Sequence, residues 1–183
     1  LSAHAAATIR RQDPSGPYTL MGYSYGTVVA FETARRLSEL GGEVAALILL
    51  DPIAPWKDAL RDLRAIYRPL KQGDALAATR RAFETVEVAL GLEGRSPTAI
   101  DDAHRIAMRR YRPEPLALPR VLVVSAAENP AAWTARREWR RLIGAGMEVM
   151  EHPGEHFTMV RAPHVWALTS RLEAWLGAAL RPM

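Results

Sequence analysis

The sequence predicts an α/β fold in which a mostly parallel sheet alternates with helices. Four short apolar runs have the length of strands, and most are followed by a segment with helical periodicity. The predicted strands are Tyr18–Tyr23, Val44–Leu50, Arg120–Ser125 and Met147–Met150. The predicted helices between and around them are Ser2–Arg11, Thr27–Leu37, Ala131–Ile143 and Pro163–Leu180.

The boundaries of these elements follow from local signals. A dense turn sequence at Gln12–Pro17 ends the first helix, and Gly41 with Gly42 ends the second. The run Val44–Leu50 is apolar throughout, which favours a strand buried on both faces of a parallel sheet. From Pro52 to Pro119 the pattern indicates amphipathic helices without a strand, so the sheet carries a helical insertion.

Length and composition limit the kind of protein. The 183 residues, 49% of them hydrophobic, suit one domain with its own core. The sequence has no run of about 20 apolar residues and no secretory signal pattern at its start, so we expect a soluble cytoplasmic protein. It has no cysteine, which excludes disulfides, thiolate metal sites and a cysteine nucleophile.

The positive charge is spread along the chain. There are 24 Lys and Arg against 20 Asp and Glu, and the only lysines are Lys57 and Lys71. Arginine clusters at 109–112 and 136–141 stand beside apolar residues at helical spacing, which favours a solvated helix face. The alternative is a docking surface for an acidic partner. We expect no nucleic-acid or membrane interaction.

The run Met21–Gly26 contains the pattern G-x-S-x-G, with Ser24 between Gly22 and Gly26. Placed between a strand and a helix, this pattern predicts a nucleophile elbow, in which the glycines let the strand and helix approach closely. The start of the helix presents backbone N–H groups to a developing oxyanion. Ser24 is therefore the candidate nucleophile of a hydrolase.

A serine nucleophile needs a base, and the base needs a carboxylate to orient it. His156 follows the last strand on a loop that contains Pro153 and Gly154, and it comes after serine and acid in the hydrolase order. Asp51 ends the second strand and is the candidate acid. Glu128, which follows the third strand, is the alternative acid.

The four other histidines have simpler interpretations. His4 and His104 lie in polar helical surroundings and are expected at the surface. His152 precedes a proline and His164 opens the last helix, where packing or capping is expected. His156 is therefore the best placed candidate base.

Several signatures in order resemble the thioesterase domains that release products from polyketide, nonribosomal peptide and animal-type fatty acid synthases. The matching segments are Gly16–Gly26, Phe31–Ala34, Leu49–Asp51, Pro153–Phe157 and Pro163–His164. The resemblance implies an α/β-hydrolase fold, a Ser24, Asp51 and His156 triad, and a helical lid over about 54–115. It favours Asp51 over Glu128, because this family carries its acid after the earlier strand.

The resemblance also implies a substrate and a partner. Ser24 would take an acyl, polyketide or peptidyl chain from the phosphopantetheine thioester of a carrier domain, and release it by hydrolysis or cyclisation. The carrier would be part of the same megasynthase, and no metal or redox cofactor is implied. The alternatives are a stand-alone editing thioesterase, a general carboxylic esterase, and an inactive module that only binds a carrier.

The sequence departs from the family pattern in two places. Thr27 stands where a second small residue is usual, and we expect it to crowd the turn slightly. The family has strands and a loop before the segment that corresponds to Leu1, and that loop donates one oxyanion N–H group. The resemblance therefore implies a domain truncated at its N-terminus, in which only the Tyr25 N–H can be assigned to the oxyanion hole.

Overall fold

The computed structural model describes residues 1–54, 107–108 and 110–179. Within these ranges, four strands form one sheet in the order β1-β2-β3-β4, and every neighbouring pair is parallel. The strands are β1 (Tyr18–Tyr23), β2 (Val44–Leu50), β3 (Val121–Ala126) and β4 (Met147–His152). The helices are α1 (Ser2–Gln12), α2 (Gly26–Glu39), α3 (Ala132–Ile143) and α4 (His164–Ala179). The predicted α/β class with a mostly parallel sheet is confirmed.

The sheet is covered on both faces. On one face, α4 and the segment before it pack on alternate residues of β2 and β3, in a core of Ala46, Ile48, Leu50, Leu122, Val124, Ala126, Met159, Leu168 and Trp175. The intervening strand residues point to the opposite face. There Phe31 of α2 contacts Trp139 of α3 edge-on, with 5.1 Å between the ring centroids and both side chains fully buried. The continuous apolar runs of β2 and β3 are explained by this double coverage.

Three strand ends differ from those that the sequence predicts. β3 is shifted by one residue, and β4 continues past Met150 to His152. The last two residues of β4 still pair with β3, since Glu151 faces Ser125 and His152 faces Ala126. Glu151 is exposed there, whereas His152 is fully buried with its Nε2 3.1 Å from the His164 carbonyl.

The chain divides into two compact units, residues 1–53 with 113–183, and residues 54–112. The predicted helical lid at about 54–115 falls mainly on 55–106, outside the described residues, and it stays a prediction. Of the described residues near the end of that range, 107, 108 and 110 are helical, and 111–115 have no regular secondary structure. No helix in the described ranges is both long and apolar enough to cross a membrane.

Candidate active site

Ser24 lies in a sharp turn between β1 and α2. Its φ of 54° is in the left-handed region that is uncommon for residues other than glycine. Its N–H donates to the Leu50 carbonyl, 3.0 Å away, which ties the turn to β2. The strained backbone is held by hydrogen bonds, as expected for a turn that presents a functional side chain.

The two glycines around Ser24 are not equivalent. A Cβ on Gly22 would overlap the Gly26 carbonyl and would lie 2.7 Å from the Thr27 nitrogen, whereas no described atom lies within 4 Å of a Cβ on Gly26. Among the described residues, the close approach depends on the absence of a side chain at Gly22 and not at Gly26. The strand and helix can approach closely because residue 22 has no side chain, and the Gly26 backbone lies where its Cβ would be.

Thr27 has a role in the turn that the sequence did not indicate. It is fully buried, and its hydroxyl donates to the Ser24 carbonyl, 2.6 Å away. Its backbone N–H donates to the same oxygen at 3.1 Å. The side chain that was expected to crowd the turn thus contributes a hydrogen bond to it.

Asp51 directly follows β2 and is 1% exposed. Its backbone N–H donates to the Val124 carbonyl at 2.6 Å, and its φ is 40°. Its Oδ1 accepts from the Ala126 N–H at 3.0 Å, and its Oδ2 accepts from the side-chain amide of Asn129 at 2.8 Å. Groups at the end of β3 therefore orient a carboxylate that follows β2.

His156 lies between Asp51 and Ser24. Its Nδ1 is 2.6 Å from Asp51 Oδ2, and its Nε2 is 2.9 Å from Ser24 Oγ. The carboxylate only accepts, so the network assigns the ring proton to Nδ1 and leaves Nε2 to accept from the serine hydroxyl. The structure thus brings together the three side chains that the sequence singled out, across 132 residues of chain.

Glu128 occupies a different position. Its side chain is exposed, and its backbone N–H donates to the Gly154 carbonyl at 3.3 Å. The carboxylate that contacts the His156 ring is that of Asp51. The geometry favours Asp51 as the acid partner.

Of the other histidines, three are described. His4 is exposed, and His164 is partly exposed at the start of α4. His152 is fully buried, with its Nε2 3.1 Å from the His164 carbonyl. Burial lowers the pKa of His152, while its hydrogen bond to His164 opposes that shift. His104 lies outside the described residues.

Tyr25 is the N-cap of α2, directly after Ser24 in the chain. Its φ of −55° and ψ of −37° are helical, and its carbonyl accepts from the Val28 N–H at 3.1 Å. Its own N–H belongs to the first turn of the helix, where the dipole favours negative charge. The place of Tyr25 suits an oxyanion donor, and that role stays a prediction.

Two residues that contact the site were not singled out by the sequence. Asn129 donates to Asp51, and Tyr23 stacks on the ring of His156 and donates to its backbone carbonyl. Asn129 follows the end of β3 by three residues. Like Glu128, it could therefore have been identified as a polar residue that follows this strand. In the sequence, Tyr23 is an ordinary strand residue, because His156, which it contacts, lies 133 residues further along the chain.

Most arginines of the cluster on α3 contact another side chain. Arg136 pairs with Glu151 at 2.8 Å, and Arg141 pairs with Glu138 at 3.0 Å. Arg137 lies over the ring of Trp133. The cluster at 109–112 falls partly outside the described residues. Among the described His, Asp and Glu side chains, no group of three is arranged to hold a metal ion.

The parallel sheet and the sharp turn between β1 and α2 are those of an α/β-hydrolase fold. A family model described as Thioesterase domain matches residues 1–176. The chain therefore belongs to the thioesterase domain family.

Individual relatives agree with this assignment. Erythronolide synthase EryA3 of Saccharopolyspora erythraea is 28% identical over 183 residues, covering 96% of this chain and 5% of that protein. Inactive atromentin synthetase invA4 of Paxillus involutus is 52% identical over 48 residues, covering 26% of this chain and 5% of that protein. The chain spans about one twentieth of the length of these curated relatives.

A solved structure supports the fold. The NocB thioesterase domain, in covalent complex with a fluorophosphonate nocardicin G analogue, superposes with a TM-score of 0.66 at 20% identity. The match covers 96% of this chain and 74% of that one. The chain therefore shares the fold of that thioesterase domain.

Proposed function

We propose that this domain is a serine thioesterase that releases an acyl, polyketide or peptidyl chain from the phosphopantetheine thioester of a carrier domain. The observation that carries the proposal is the position of His156, whose two ring nitrogens lie 2.9 Å from Ser24 Oγ and 2.6 Å from Asp51 Oδ2. A hydroxyl that donates to a neutral imidazole is activated for attack on a carbonyl carbon. Family membership supports the thioester as substrate.

In the proposed first step, Ser24 Oγ bonds to the thioester carbonyl carbon while its proton passes to His156 Nε2. Asp51 stabilises the imidazolium and keeps the ring oriented. The Tyr25 N–H, at the positive end of α2, stabilises the oxyanion; one such donor contributes on the order of a hundredfold in rate. The carbon–sulfur bond then breaks, and the thiol leaves with the proton from His156.

In the second step the acyl group leaves Ser24. Water, or a hydroxyl or amine of the bound chain, gives its proton to His156 and attacks the ester carbon. Ser24 recovers its proton as the ester bond breaks. Water gives a carboxylic acid, and an internal nucleophile gives a ring.

The partner that we propose is an acyl or peptidyl carrier domain of the same synthase. The relatives named as synthases, many times longer than this chain, support that setting. A stand-alone editing thioesterase and a general esterase would use the same three residues. The alternative from another class is an inactive module that only binds a carrier domain. It is supported by relatives whose names describe them as inactive.

The test begins with a fluorophosphonate, which bonds covalently to an activated serine with loss of fluoride. We expect one adduct by intact mass, its loss in Ser24→Ala, and its retention in Ser15→Ala, which changes an exposed serine before β1. An adduct that persists in Ser24→Ala would contradict the assignment of the nucleophile. Absence of any adduct would favour the inactive module.

Substrate comparison then separates the active alternatives. The same acyl group is presented on a carrier domain, on free pantetheine and as a simple ester. We expect the highest kcat/KM with the carrier-bound thioester. Faster turnover of the ester than of both thioesters would indicate a general esterase instead.

A further inference from the structure

Tyr23 contacts His156 in two independent ways. The two rings are stacked, with 5.0 Å between their centroids and 22° between their planes. The Tyr23 hydroxyl also donates to the backbone carbonyl of His156, 2.6 Å away. One side chain therefore holds both the ring and the backbone of the proposed base.

The segment that carries His156 lacks regular secondary structure. It runs from Pro153 to Pro163, between β4 and α4. Its backbone carbonyls are therefore not held in a helix or strand ladder, and an external donor has more effect there than in a regular element. The Tyr23 hydroxyl supplies such a donor at His156 itself.

Tyr23 is also the last residue of β1 and directly precedes Ser24. β1 pairs with β2 up to Tyr23 and Leu50, and Asp51 follows Leu50. The side chain of Tyr23 thus ties the His156 segment to the strand ends that carry Ser24 and Asp51. A change in its contacts would alter the distance from Nε2 to Oγ without removing either atom.

The imidazole ring is bounded on two sides. The Tyr23 ring lies against its face, and the Phe157 ring contacts it edge-on, 4.9 Å between centroids and 79° between planes. The Asp51 carboxylate fixes the Nδ1 edge. Rotation of the His156 ring away from Ser24 would break the stacking, so the stack limits that rotation.

The hydroxyl of Tyr23 remains a donor at neutral pH. Burial and the negative charge of Asp51 raise the pKa of Tyr23 above its ordinary 10.0, although Arg161 opposes the shift. The hydroxyl is therefore protonated near neutral pH and can donate to the His156 carbonyl.

We infer that Tyr23 is a positioning residue of this active site, whose hydroxyl fixes the His156 backbone and whose ring fixes the imidazole plane. The inference rests on the proposed function, because positioning has an effect only where His156 activates Ser24. It predicts that Tyr23 acts on the rate of the chemical step and has little effect on substrate binding.

The chain offers a matched control on the same strand. Tyr18, at the other end of β1, is buried, and its hydroxyl donates to the Asp13 carbonyl at 2.7 Å. Tyr18→Phe and Tyr23→Phe each remove one hydroxyl-to-carbonyl hydrogen bond while keeping the aromatic ring. A general loss of stability would affect both variants, whereas loss of positioning affects only Tyr23→Phe.

The experiment measures the rate of fluorophosphonate adduct formation, kcat and KM for an acyl-pantetheine thioester, and the thermal unfolding midpoint. For Tyr23→Phe we expect labelling and kcat to fall about 3- to 10-fold, the range for one neutral hydrogen bond, with KM within twofold. Tyr23→Leu, which also removes the stack, should be slower still. Tyr18→Phe should label at the wild-type rate.

The outcomes separate the two hypotheses. If wild type is labelled at Ser24 and Tyr23→Phe and Tyr23→Leu match its rate and kcat, the positioning role is rejected and the proposed function stands. A rise in KM with unchanged kcat would also reject it, because it would indicate substrate contact. If wild type is not labelled, the proposed function fails, and the positioning role fails with it.

Discussion

The side-chain amide of Asn129 donates to Asp51 Oδ2, the same oxygen that lies 2.6 Å from His156 Nδ1. Asn129 is itself held, because its Oδ1 accepts from the Ala131 N–H at 2.9 Å, just before α3. The orientation of the Asp51 carboxylate therefore depends on the loop between β3 and α3 as well as on β2.

Removing the side-chain amide of Asn129 should slow the chemical step. A hydrogen bond to a charged group is worth about 1.5–3 kcal/mol, so we expect Asn129→Ala to lower kcat roughly 10- to 100-fold with a smaller change in KM. Asn129→Asp should lower kcat further near neutral pH, because it places a second carboxylate beside Asp51. Steady-state kinetics of both variants, with unfolding midpoints, check this; equal and unchanged kcat values would contradict it.

Asp51 and Glu128 can be separated by matched changes. Asp51→Asn keeps the shape of the side chain but removes the charge that orients His156, and comparable Ser-His-Asp enzymes lose on the order of 10⁴-fold in kcat. Glu128→Gln changes an exposed side chain and should leave kcat within about twofold. A larger loss in Glu128→Gln than in Asp51→Asn would reverse the assignment.

The two glycines of the turn predict opposite outcomes for the same substitution. Gly22→Ala places a methyl group onto the Gly26 backbone, and we expect a loss of about 3 kcal/mol in unfolding free energy and of fluorophosphonate labelling. A Cβ on Gly26 meets no described atom within 4 Å, and Gly26 is the first residue of α2, so we expect Gly26→Ala to stabilise by at most about 0.5–1 kcal/mol. Urea unfolding of the pair measures both; equal destabilisation would contradict the packing argument.

His152 should make stability depend on pH. Burial lowers its pKa below the ordinary 6.5, with the charges of Arg171 and His164 acting in the same direction. Below pH 6.5 the unfolded chain binds a proton that the folded chain disfavours, so this contribution to stability is present above pH 6.5 and lost as pH falls.

The measurement is the urea midpoint at pH 5 and pH 7.5. We expect His152→Gln, which can still donate to the His164 carbonyl, to show a smaller difference between the two pH values than wild type. His4→Gln, a change at an exposed histidine on α1, serves as the control. A difference as large in His152→Gln as in wild type would assign the pH dependence to other groups.

The strand and helix order could be predicted because it depends on local patterns. The apolar run Val44–Leu50 matches β2 residue for residue, and the glycine pattern located the turn at Ser24. The end of β4 could not be predicted, because Glu151 and His152 are polar and their pairing with β3 is a tertiary contact.

Some residues of the candidate site could likewise be predicted from the sequence, and others could not. Ser24, Asp51 and His156 stand out because chemistry demands those residue types at strand ends. Tyr23 and Asn129 act through hydrogen bonds to partners 133 and 78 residues away, which no local pattern reports. The difference between Gly22 and Gly26 depends on interatomic distances, which the sequence does not give.

The chain leaves the unit that carries Ser24 after Ile53 and returns to it at Pro113. The exit is fixed within that unit, since the indole N–H of Trp139 donates to the Ile53 carbonyl at 3.0 Å. Every hydrogen bond described among the site residues is made inside this one unit. We therefore expect that sequence changes within residues 54–112 leave the hydrogen bonds described among the site residues intact.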